Sequence, residues 1–378
     1  MTLIRRVVVI GSLALASTVA ASEVSSQGLR DLVVPDASSC AQCSISVRTK
    51  LRFSSREIAG EIFEPPFAVR SDPFGNFMVL SQNSLPRVYS ERGIFLRSFG
   101  RSGEGPGELV QAEDLFWTPG DSLVILDGYS RRASVFTASG RFVRQLRTPS
   151  QLVNSVIIRW PESVLLSGQI ASSQTAGFPL HLTAFDSSEV RLIRSFGPDR
   201  GILLPGGRGI TFHVTSRGEQ RRIVSARPEE FRIYSWSESG HLLSILRRTA
   251  PWFPDSGAGR IGSPKMPPTP ALMAIAVDRA GLIWVFVRTP AESWRRAWAA
   301  VNEDVQEVRV SQLEYHWLFN TIVEVIDPSS GRVLSRSVLP GLAISAPLDG
   351  HVAVYGRNSR GEPELRIDSV RLERAKRE

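Results

Sequence analysis

Val88-Tyr-Ser-Glu-Arg-Gly-Ile-Phe-Leu-Arg-Ser-Phe99 and Val135-Phe-Thr-Ala-Ser-Gly-Arg-Phe-Val-Arg-Gln-Leu146 carry one pattern twice. Each begins with the end of an apolar strand, passes through a polar turn that closes on glycine, and leaves in a second, alternating strand. Short runs of this kind, split by Gly, Asp, Ser and Pro, are the sequence form of β-hairpins. Related segments follow at Ala184-Phe-Asp-Ser-Ser-Glu-Val-Arg-Leu-Ile193, Tyr234-Ser-Trp-Ser-Glu-Ser-Gly-His-Leu-Leu243 and Val325-Ile-Asp-Pro-Ser-Ser-Gly-Arg-Val-Leu334, which makes five hairpins.

A second unit, a tight turn followed by an apolar strand, lies between them. It runs Asp72-Pro-Phe-Gly-Asn-Phe-Met-Val-Leu80, Thr118-Pro-Gly-Asp-Ser-Leu-Val-Ile-Leu126, Trp160-Pro-Glu-Ser-Val-Leu-Leu166, Ser216-Arg-Gly-Glu219, Asp278-Arg-Ala-Gly-Leu-Ile-Trp-Val-Phe-Val287 and Leu348-Asp-Gly-His-Val-Ala-Val-Tyr355, six copies in all. Repetition of this kind predicts a ring of small antiparallel sheets, an all-β six-bladed propeller with four-stranded blades. Six turn units against five hairpins leaves the last blade one strand short. The C-terminal stretch from Leu365 to Leu372 supplies one strand, and Ile45-Ser-Val-Arg-Thr-Lys-Leu-Arg-Phe53 looks like the closing strand of a hairpin. A ring avoids a free edge only if its ends pair, so the N-terminal strand is expected to complete the last blade.

Blade 2 carries the clearest family resemblance. Phe95-Leu-Arg-Ser-Phe-Gly-Arg-Ser-Gly-Glu-Gly-Pro-Gly-Glu-Leu109, then Leu126-Asp-Gly-Tyr-Ser-Arg-Arg-Ala-Ser-Val-Phe136, resembles the NHL-repeat propellers of bacterial exported proteins. Asp127, Arg131 and Phe136 stand at the Asp, Arg and apolar-strand places of that repeat; blades 3 and 4 keep the rhythm but lose the Asp and Arg. The resemblance spans roughly residues 45–372 and implies a fold, not an activity, because propellers host unrelated functions. Gly103, Gly105 and Gly107 are followed by a strand rather than a helix, so they read as a tight blade connection and not a phosphate cradle.

The ends of the chain point outward from the cell. Arg5 and Arg6 precede the uncharged apolar run Val7–Val19, with small residues at Thr18, Ala20, Ala21 and Ser22, the layout of a signal peptide over 1–21. The run is shorter than the roughly 20 residues of a membrane span, and no span is expected after cleavage, an uncleaved N-terminal anchor being the alternative. Residues 22–44 form an N-terminal segment, 45–372 the propeller, and 373–378 a charged tail. Cys40 and Cys43 are the only cysteines, and in an exported chain this spacing points to a local disulfide. The expected location is periplasmic or secreted, and the expected state a monomer.

Net charge is +8, but the arginines are scattered and Lys50, Lys265 and Lys376 are the only lysines. Without a basic stripe or tail, nucleic acid is not an expected partner. No Gly-x-Ser-x-Gly elbow occurs and the five histidines are dispersed, so no catalytic residues are assigned.

With strands lettered a to d from the channel outward, b–c loops and d–a connections open on one face of a propeller. That face is expected to hold the Gly-rich loop at 100–110, a b–c loop near 168–178, the Pro-rich connection at 251–271 and an excursion at 288–318, while the other face holds tight turns only. Long loops gathered on one face mark a binding surface for a protein, peptide or glycan. Arg101, Glu104, Trp294, Trp298, Tyr315, His316 and Trp317 are its candidates, although the aromatics also suit packing of the excursion onto its own blade. Ala291 to Val301 suits a short helix. The alternative is a lactonase-like hydrolase or lyase at the channel mouth, with a divalent metal such as calcium held near Glu64, Asp114 and Asn154. A structural module of the cell envelope is the third reading.

Overall fold

The computed structural model describes residues 29–374 apart from 55–64, 67, 82–84, 119, 129, 149–157, 160–162, 168–179, 186–188, 198–210, 218–219, 255–258, 300–312 and 346–349. The signal segment, Glu64, Asn154 and the 168–178 loop lie outside the described residues.

The chain is a six-bladed β-propeller. Blade 1 holds Ala68–Ser71, Phe77–Leu80, Arg87–Tyr89 and Phe95–Ser98, and blade 2 holds Ala112–Trp117, Ser122–Asp127, Arg132–Thr137 and Phe142–Arg147. Blades 3, 4 and 5 repeat the plan over Ile158–Phe196, Thr211–Arg248 and Ala271–Pro340. Blade 6 is built from Leu342–Ser345, His351–Arg357 and Pro363–Arg374, and its fourth strand is Cys43–Ser54 from the other end of the chain. The two terminal strands pair antiparallel from Cys43↔Arg374 to Ser54↔Glu364, which is the closure that the strand arithmetic required.

Local chemistry fixes the turns on the tight face. Asp72 Oδ1 accepts from the amides of Phe74 and Asn76, and Asp278 Oδ1 from those of Ala280 and Leu282. In the c–d turns Ser90, Thr137 and Ser237 hydroxyls accept the amides of Ile94, Arg141 and His241 in the same way. These short side chains stand in for a backbone acceptor, so each turn is written in its first residue. The core then forms between blades. Six apolar clusters fill the junctions around the ring, for example Met78, Phe99, Leu115 and Phe136 between blades 1 and 2. Each blade therefore buries its faces against its neighbours, and blade 5 also reaches the cluster at the blade 6–blade 1 junction.

The N-terminal segment does more than lead into the closing strand. Arg30–Val34 runs parallel to the outer strand of blade 4 as a fifth strand, in register from Arg30↔Ser244 to Val34↔Arg248. Ser39 then donates its amide to Val333 on the outer strand of blade 5, at 2.8 Å. Cys40 and Cys43 are joined in a disulfide as the chain turns onto blade 6. Residues 30–43 thus strap the rims of three blades, a role the sequence reading did not assign to them. Replacing both cysteines by serine is expected to cost about 1–2 kcal/mol in denaturant unfolding, because so short a loop removes little entropy from the unfolded chain.

Candidate functional site

Two places on the long-loop face concentrate chemistry. The first is the mouth of blade 2. Asp114, 1% exposed, receives Arg70 of blade 1 at 2.9 Å. Burial raises the Asp114 carboxyl above the ordinary carboxylate range, and the Arg70 charge works against that rise. Asp114 is thus one half of an inter-blade ion pair in this structure. Of the three channel-mouth candidates it alone lies among the described residues. No group of three or more His, Cys, Asp or Glu among the described residues converges to hold a metal ion.

Glu113, its neighbour, was not singled out from the sequence. The inner strand of blade 2 pairs Leu126 with Asp114 but Asp127 with Ala112, so Glu113 is the extra residue of a β-bulge. Bulges re-aim side chains. Here the bulge lays the Glu113 carboxylate against Gly128, where an added Cβ would fall 2.0 Å from Oε2. Glu113 Oε2 is buried without a hydrogen-bond partner. Burial, then the charges of Asp127 and Asp114, raise its pKa to about 7. The signal for this arrangement was the Glu113-Asp114 doublet facing Asp127-Gly128, and it becomes visible only once the bulge is known.

The Gly-rich loop beside it is a connection, as expected. Gly105 donates its amide to Glu108 at 2.9 Å, and Gly107, at φ +76°, lies so close to Phe142 that a Cβ would sit 2.9 Å from the ring. Arg101 is exposed and lies 4.0 Å from Glu108, while the Glu104 carbonyl accepts from Arg132 at 2.5 Å. Neither meets the aromatic candidates.

Those aromatics make the second place. Among the described residues of the blade 5 excursion are two 3-10 turns, Trp294–Trp298 and Tyr315–Trp317. The first lies inside the span expected to be helical and is shorter and more tightly wound. Trp294, Trp298, Tyr315, Leu313 and Leu318 are buried in one apolar cluster with Phe53, Tyr89 and Tyr355 of the blade 6–blade 1 junction. This bedding anchors both described ends of the excursion as a platform on the blade 6–blade 1 junction. Trp317 is only half-buried, and two guanidinium groups lie over its indole, Arg357 at 4.3 Å and Arg296 at 5.0 Å. Arg357, from blade 6, also donates to Ser293 Oγ at 2.9 Å. His316 is buried next to Trp317 with Nδ1 unpartnered. Burial and the Arg357 charge push its pKa down to about 4, so it is neutral at pH 7. Arg296, Arg357 and Ser293 were missed because they come from two blades, and in sequence they read as ordinary surface residues.

No protein-family model and no curated protein matches this sequence. Solved structures do. A member of the duf4221 family from Bacteroides vulgatus superposes with a TM-score of 0.57 at 11% identity, over 88% of this chain and 99% of that one. An exported-class protein from Bacteroides fragilis gives a TM-score of 0.52 at 11% identity, over 91% and 100%. Virginiamycin B lyase from Staphylococcus aureus superposes more loosely, with a TM-score of 0.45 at 7% identity over 85% and 99%. At such identities the likeness establishes what the strands already showed, that the chain has the propeller fold.

Proposed function

We propose that the chain is an exported binding propeller that presents its long-loop face to a protein, peptide or glycan ligand. The observation that carries this reading is the bedded platform of blade 5. An excursion of this length is expected to be either disordered or functional, and this one is anchored by buried Trp294, Trp298 and Tyr315 while holding Arg295 and Arg296 exposed. Rigid aromatic anchors beneath exposed polar groups are what a recognition surface requires. Export is supported by the signal-like segment over 1–21 and by a disulfide of a kind that persists outside the cytosol.

The test sets one face against the other. Charge reversals at Arg260 and Arg296 on the long-loop face are compared with reversals at Arg92 and Arg141 in the tight turns, using peptide and glycan arrays on the mature chain. The reading expects the first pair to abolish every wild-type signal and the second pair to leave it. Signals that follow Arg92 and Arg141 instead would refute it.

A further inference from the structure

Arg296 and Arg357 are two positive charges brought to one indole. Among the described residues neither forms an ion pair, although Glu292 and Glu314 are close along the chain. Arg70 is answered by Asp114, Arg248 and Arg336 by Glu324 and Asp36, and Arg366 by Glu364 and Asp368, whereas the half-buried Arg97 and Arg132 share with Arg357 the lack of an ion pair among the described residues. Arg357 meets like charge instead, and burial together with Arg296 lowers its pKa. Its place is nevertheless fixed, since Ser293 Oγ accepts from Nη1 at 2.9 Å and itself donates to the Trp317 carbonyl at 3.5 Å. Arg357, held in place with the exposed Arg296 beside it, offers an external anion two guanidinium forks. His316 adds an independent indication, a 93% buried ring beside the same indole whose Nδ1 has no partner in the protein.

The surroundings narrow the ligand class. A peptide cannot add as a further strand here, because the strands beneath already pair with one another, Ile283–Pro290 with Phe319–Asp327 and His351–Arg357 with Pro363–Arg374. Acidic peptide side chains remain the competing ligand for an arginine pair, and polyglutamate tests them. What is presented is a pair of guanidinium forks lying over a half-buried indole, with the Ser293 hydroxyl already committed to Arg357 and the Trp317 carbonyl. This set calls for an acid group, which an acidic saccharide carries at repeated positions. We propose that Arg296, beside Trp298 in blade 5, and Arg357, at the start of the b–c turn of blade 6, together bind an anionic saccharide by clamping its carboxylate or sulfate, with Ser293 positioning Arg357. This rests on the long-loop-face reading and gives it a ligand class.

The experiment is calorimetric titration of the mature chain with polygalacturonate, dextran sulfate, neutral dextran and polyglutamate. Polygalacturonate or dextran sulfate is expected to bind, and which of the two is tighter separates the carboxylate source from the sulfate source. Neutral dextran is expected to stay silent. Arg296→Ala, on an exposed side chain that folding does not need, should weaken binding about tenfold, and Arg296→Ala with Arg357→Ala about a hundredfold. Arg357→Lys should restore only part, because a point charge lacks the fork. Arg141→Ala on the opposite face should change nothing. Equal binding by the double variant, polyglutamate binding as tightly as the saccharides, or no acidic saccharide binding at all would each overturn the proposal. If array ligands still depended on Arg260 while ignoring Arg296 and Arg357, the anion site would fall and the long-loop-face reading would stand.

Discussion

Glu324→Ala is expected to destabilise the propeller by about 3–5 kcal/mol, the cost of leaving buried cations without their counter-charge. Glu324 lies within blade 5 with its side chain fully buried. It accepts Arg248 Nε at 3.0 Å and Nη2 at 2.8 Å, and Arg336 Nε at 2.8 Å. Arg248, equally buried, ends the outer strand of blade 4, and Asp36 of the N-terminal strap reaches both arginines. Two cations and two anions balance here, and they join blade 4, blade 5 and the strap at one point. Removing Glu324 leaves both guanidiniums to the half-exposed Asp36 and leaves Arg248 with donors that water cannot reach. Urea unfolding should show the loss directly, and protection of the amides of residues 30–39 against hydrogen exchange should fall with it. The double replacement Glu324→Leu with Arg248→Met should be much milder than the single one, because it removes both halves of the desolvated pair. A single-variant cost under about 1 kcal/mol would mean that water reaches the network and the strap is not held by it.

How much of this was legible beforehand depends on sequence distance. The turns were legible because Asp72, Thr118 and Asp278 determine them within four residues. The closing strand was legible by a different route, a shortage of one strand that only Ile45–Phe53 could fill. Arg30–Val34 was not, because it has no hairpin partner nearby and pairs parallel with residues more than 200 positions on. The Arg248 network has the same cause: Asp36, Arg248, Glu324 and Arg336 each read as a solvated strand charge until the ring brings them together. The candidate site divides the same way. Trp294, Trp298 and Tyr315 stood out by composition, yet they are the bedding of the platform, and Arg357, which a different blade contributes, completes the arginine pair. At the channel mouth Asp114 was picked for its place near the start of an inner strand, and Glu113 was not singled out, because the bulge that re-aims it depends on the register with the next strand.

That bulge carries the second large effect, a loss of stability as pH rises through neutrality. Glu113 has an ordinary carboxyl pKa in the unfolded chain and one of about 7 in the fold, raised by burial and then by Asp127 and Asp114. Between those values the native state holds a proton that the unfolded state has released. Stability therefore falls with increasing pH: the contribution is complete below about pH 4.5 and is lost as pH passes through about 7. The full shift corresponds to about 3 kcal/mol, and roughly 2 kcal/mol remains once screening of this partly exposed side chain is allowed for. Asp114 shifts in the same direction, so the wild-type profile alone does not isolate Glu113. Glu113→Gln does, since the amide mimics the protonated acid and has nothing to release. Urea midpoints measured from pH 5 to pH 8 should diverge, with the wild type losing about 2 kcal/mol more than the Gln variant. Gly128→Ala gives the converse case: its methyl would occupy the space of the Glu113 carboxylate, push it toward water, and lower its pKa. Parallel profiles for wild type and Glu113→Gln would show that the carboxylate is already solvated and that the bulge serves only to turn the strand.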